Sequence, residues 1–136
     1  MQGSSGYCER EHTADWELEV WATDLEGLFE SAARGMFAMC GARGRPDERQ
    51  VHKFSLEAVD YESLLVSFLQ ELLYLSEMEG RFIDTYELQI EPYHLEAMVA
   101  GTPLAGLDKE IKAVTYHNLK IVPTEDGLRV RIVFDV

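Results

Sequence analysis

The last nine residues, Leu128 to Val136 (LRVRIVFDV), constrain the fold more than any other stretch. Leu128, Val130, Ile132, Phe134 and Val136 fall on one parity, while Arg129, Arg131 and Asp135 fall on the other. A period of two with one apolar row is a strand with one buried face. The row runs to the final residue, with none of the polar tail in which chain ends usually fray. A fold must therefore hold this strand in its sheet up to Val136.

The same period appears near the start, where Trp16, Leu18, Val20 and Ala22 alternate with Glu17, Glu19 and Trp21. Two helices are predicted between these ends. The first begins at Thr23, with Glu26 at capping-box spacing, carries the stripe Leu25, Leu28, Phe29, Ala32, Met36, and stops at Gly41. The second is capped by Asp60, presents Leu64, Leu65, Phe68, Leu69 and Leu72, and ends near Gly80. Residues 42–50 read as a polar loop, and Phe54, Leu56 and Ala58 as a strand. Further strands are expected at 82–90, 95–100 and 113–121, with a loop around Gly101, Pro103 and Gly106 and a hairpin signal at Asp126–Gly127. The reading is a single α+β domain over residues 7–136, two helices packed on a largely antiparallel β-sheet, behind a flexible N-terminus of residues 1–6.

Charge excludes one class of partner. Twelve Lys and Arg against 25 Asp and Glu give −13. Phosphate backbones are held through Lys and Arg, so this is a poor primary RNA binder and suits a cation or a basic protein surface instead. No apolar run approaches the roughly 20 residues of a membrane span, and nothing at the start resembles a secretory signal. The two cysteines, Cys8 and Cys40, have no metal-ligand spacing, which points to a reducing compartment, most simply the cytoplasm.

Four segments then match a family in order. His12-Thr13-Ala14-Asp15 (HTAD) precedes the first strand, Glu62 to Leu75 forms a leucine-rich helix, Lys112 to His117 reads KAVTYH, and the chain closes on RVRIVFDV. Together they resemble the archeases, and the resemblance covers the chain from Tyr7. It implies an accessory protein that activates the tRNA-splicing RNA ligase by promoting its guanylylation from GTP, a manganese-dependent step, and so supports multiple turnover. An older view of the family makes it a chaperone-like modulator of RNA-modifying enzymes, including a tRNA methyltransferase.

Taken alone, Asp15 reads as a solvated strand-end aspartate sharing the outward parity of Glu17 and Glu19, and Asp135 as an edge-blunting charge. The resemblance instead makes Asp15, Asp135 and the α-carboxylate of Val136 the ligands of a divalent metal, calcium first, with magnesium or manganese as alternatives; all are oxygen-seeking cations. Backbone carbonyls and water would complete the shell, and the first and last strands must meet. The resemblance also points to His12, Lys112, Tyr116 and His117 as contacts to the ligase or to a phosphate. Against this, Lys112 reads equally as a solvated strand-end lysine and His117 as a partly buried structural histidine. There is no G-x-S-x-G elbow, Walker loop or Cys–His pair, so an activator is expected rather than an enzyme. A small metal-dependent phosphoesterase is the remaining alternative.

Overall fold

Two antiparallel sheets enclose a pair of helices. The computed structural model describes residues 5–11 and 15–136, with the side chains of Arg10, Glu11 and Asp15 outside that description. His12, Thr13 and Ala14 of the HTAD segment lie outside it too. The order is β1 (Gly6–Glu11), β2 (Asp15–Ala22), α1 (Leu25–Met39), β3 (Arg43–Gly44), β4 (Gln50–Glu57), α2 (Tyr61–Glu79), β5 (Arg81–Glu91), β6 (His94–Gly106), β7 (Ala113–Val114), β8 (Val122–Thr124) and β9 (Gly127–Asp135).

In the first sheet the order is β1-β2-β9-β7, with β8 also paired to β9; in the second, β6 is flanked by β4 and β5 and extends to β3. Every pairing is antiparallel. The buried parity of β2 and β9 is the predicted one: Leu18, Val20, Ile132 and Phe134 are fully or almost fully buried. Both helices turn their apolar faces into the same core. Phe68 of α2 lies at its centre, with ring centroids 5.7 Å from Phe29, 6.3 Å from Phe54 and 6.4 Å from Tyr86. Aromatic pairs at such separations each add about 1 kcal/mol beyond their buried area.

Helix α2 starts and stops as expected. The Asp60 carboxylate accepts the Ser63 N–H at 2.7 Å, and Gly80 closes the helix at φ 62°, a left-handed conformation that glycine adopts without penalty. Helix α1 starts one residue later than expected. Its N-cap is Asp24, which accepts the Gly27 N–H at 2.7 Å. The Glu26 carboxylate does not close a capping box with Thr23; it accepts the Ile90 N–H at 3.2 Å and ties the helix to the second sheet.

Two strand assignments need correction. Residues 101–106 are not a loop but the second half of β6. Gly101 lies beside a register shift in the β5–β6 pair, where a Cβ would sit 1.8 Å from the Phe82 carbonyl oxygen. The glycine there admits a bulge rather than ending a strand. Conversely, the strand expected at 113–121 is only Ala113–Val114. Beyond it the Leu119 N–H turns back onto the Tyr116 carbonyl (3.1 Å), and Asn118 takes φ 53°.

Candidate functional site

Strands β2 and β9 meet along their whole length. In the β2–β9 ladder Asp15 lies directly opposite Asp135, and on the other side of β9 Ala113 of β7 is also paired with Asp135. The Lys112 N–H donates to the Asp135 carbonyl oxygen at 2.7 Å, so the end of β9 is held between two neighbours. Asp135 is exposed, while Val136 is half-buried and packs against the core. The approach on which the metal reading depends, between the strand that follows HTAD and the last strand, is therefore present in the backbone as the β2–β9 pair.

Directly opposed residues of an antiparallel pair share a face, with Cβ atoms roughly 5 Å apart, and two like charges there repel. A hard cation relieves that repulsion, and carboxylate oxygen is its preferred donor. Two aspartates in this register have the donor chemistry that a divalent metal takes. Among the described residues no three His, Cys, Asp or Glu side chains come together as a metal group, and Asp15 is not among those side chains.

The KAVTYH segment contains β7 and runs on from it beside the end of β9. Lys112, Tyr116 and His117 are all exposed, Tyr116 to 58%. The expectation of a partly buried structural His117 fails because the strand that would have turned it inward is absent. Its Nε2 instead lies 3.2 Å from Asn118 Nδ2, and its backbone N–H donates to Thr115 Oγ1 at 3.3 Å. The segment is fixed at both ends. Thr115 N–H donates to the Val133 carbonyl (3.0 Å), and Ile121 N–H donates to Glu62 Oε2 (3.0 Å), a carboxylate of α2.

One feature of this face was not expected from the sequence. Glu17 and Glu19, on the outward parity of β2, are only 8% and 9% exposed. Arg131 bridges both, with Nε 2.9 Å from Glu17 Oε2 and Nη2 3.8 Å from Glu19 Oε2; Arg129 Nη1 is 3.6 Å from Glu19 Oε2. The signal was there in two complementary alternations, Glu-x-Glu at the start and Arg-x-Arg at the end, and only the pairing of those strands joins them. Between this ladder and residues His117 and Lys120 lies a cleft of about 460 Å³.

Comparison with known proteins agrees with the fold and extends it. The model of the Archease protein family (MTH1598/TM1083) matches residues 7–136. The chain is 34% identical over 125 residues to the protein archease of Pyrococcus abyssi, covering 86% of this chain and 88% of that one. It is 33% identical over 137 residues to that of Methanosarcina acetivorans, covering 93% and 92%. Among solved structures, protein 1598 of Methanobacterium thermoautotrophicum superposes with a TM-score of 0.70 at 24% identity, covering 96% of this chain and 99% of that one. A Thermotoga maritima archease, described as a possible chaperone, gives 0.68 at 26% identity, with 93% and 94% covered.

Proposed function

The chain belongs to the archease family, and from that premise we propose that it is an accessory protein that activates the tRNA-splicing RNA ligase. In this reading it promotes guanylylation and multiple turnover of the ligase in the cytoplasm, and is not itself an enzyme. A divalent cation, calcium first and magnesium or manganese next, is held by Asp15, Asp135 and the α-carboxylate of Val136.

The observation that carries the reading is the Asp15–Asp135 register. It supports the ligand set because it pairs the backbones of two aspartates from strands far apart in sequence. When bound, the cation supplies compact positive charge at the rim of a strongly acidic protein. The chain's own residues do the rest. The Lys112 N–H fixes the Asp135 backbone, and the Val136 side chain anchors the terminus in the core. Lys112, Tyr116 and His117 stand exposed beside that rim, available to a partner surface or a phosphate. His12, preceding β2, completes the contact set that the family resemblance implies. No helix of the described residues is long and apolar enough to cross a membrane.

The test is a reconstituted assay with purified ligase, GTP and Mn²⁺. Stoichiometric protein is expected to raise both guanylylation and turnover, and Asp135→Asn to lose most of that effect. A ligase indifferent to the protein would remove the reading. Hydrolysis of a phosphoester without any partner, abolished by Asp15→Asn, would replace it with a metal-dependent phosphoesterase. Metal-independent suppression of aggregation across unrelated clients would replace it with a chaperone-like modulator of RNA-modifying enzymes.

A further inference from the structure

The cleft beside the Glu–Arg ladder differs in charge from the molecule around it. Its charged lining is Lys120, Arg129 and Arg131 against Glu17 and Glu19, a basic majority in a chain where 25 acidic residues outnumber 12 basic ones. Within the cleft, Glu17 and Glu19 are nearly buried and already matched by guanidinium groups. The mouth is therefore cationic. The Arg129 and Arg131 side chains are 54% and 59% exposed, their outer edges facing solvent, and Lys120 is exposed with no ion pair among the described residues. His117 stands on the same rim.

We infer that this cleft receives an acidic peptide segment of the partner protein, one or two carboxylates meeting Lys120, Arg129 and Arg131. The identity of that partner rests on the ligase-helper reading. Charge complementarity selects the occupant. Guanidinium groups with a free edge take carboxylates bidentately, and a single lysine beside them adds a third donor group. A nucleic acid is the weaker fit. Its affinity comes from displacing counterions along many phosphates, and here one small positive spot is set in a surface of net charge −13. A short carboxylate-bearing segment needs no more than the spot. Such complementarity sets the register of docking and the rate of encounter, both salt-dependent.

The test titrates the isotopically labelled full chain with hexaglutamate and, separately, with hexauridylate, following backbone amide shifts. Hexaglutamate is expected to move His117, Lys120, Arg129 and Arg131, with affinity falling about tenfold in Lys120→Glu and unaffected by Asp135→Asn. In the ligase assay, Lys120→Glu is expected to require about tenfold more protein for the same activation. Lys120 is an exposed residue of a turn segment, so this variant tests charge without disturbing the core; its fold is checked by the same spectra. Shifts scattered away from the cleft, no saturable shifts, or tighter binding of hexauridylate at the same amides would each overturn the inference. Peptide binding in the cleft without any ligase activation would sink the ligase reading and leave the acidic-peptide site standing.

Discussion

Asp135 is the residue on which most depends, because it is flanked on both sides and opposed by a second aspartate. Asp135→Asn removes one carboxylate from the pair. Calcium affinity by titration calorimetry is expected to fall about tenfold or more, since even outer-shell changes at metal sites cost that much. Metal-free thermal stability should hold or rise, because opposed like charges repel. Unchanged affinity would take Asp135 out of the ligand set. A second residue answers to pH. The Arg49 guanidinium, hydrogen-bonded to Asp84, holds that carboxyl below the ordinary carboxylate range. A depressed folded-state value means the stabilisation is complete above the unfolded value and is lost as pH falls through the folded one. Thermal melts stepped from about pH 6 to about pH 2 should therefore show a steeper acid loss for the native chain than for Asp84→Asn. At this scale the sequence was legible in part. The parity of β2 and β9 was readable from alternation alone. The burial of Glu17 and Glu19 was not, because alternation tells which face a residue takes and not what covers it.

Elements were legible where local chemistry is self-sufficient. The cap at Asp60 and the stop at Gly80 depend only on neighbours within the helix. They failed where a distant strand decides. Gly101 and Pro103 read as loop residues, yet in β6 the glycine is demanded by the approach of Phe82, and the Pro103 carbonyl still accepts the Arg45 N–H at 2.9 Å. The two glycines make a paired prediction. Gly101→Ala forces a Cβ into backbone and is expected to cost about 3 kcal/mol. Gly80→Ala meets nothing within 4 Å and should cost only the left-handed penalty of about 1 kcal/mol. Urea unfolding of both variants checks the order; a milder Gly101→Ala would mean that the β5 backbone beside the bulge does not press on Gly101. KAVTYH failed in the opposite sense. Its alternation is strand-like, but the turn at Tyr116–Leu119 presents Tyr116 and His117 to solvent instead of to a sheet.

For the whole molecule, a net charge of −13 means self-repulsion that any cation screens. Specific binding is separable from screening. Calcium at about 100 times its dissociation constant should add about 2.7 kcal/mol of stability, seen as a higher melting temperature than NaCl of equal ionic strength gives. Asp135→Asn, about tenfold weaker, should keep no more than about half of that extra gain, and an equal response to both salts in the native chain would argue against any specific site. The first sheet carries one further consequence. β9 is last in chain order yet occupies an interior place, with β2 on one side and β7 and β8 on the other. Leu18 and Val20 of β2 therefore meet Ile132 and Val130 only once the last strand has been added. If Asp15 and Asp135 hold calcium as proposed, a chain released before β9 is made is expected to have no such affinity, because one half of the pair has not yet been supplied.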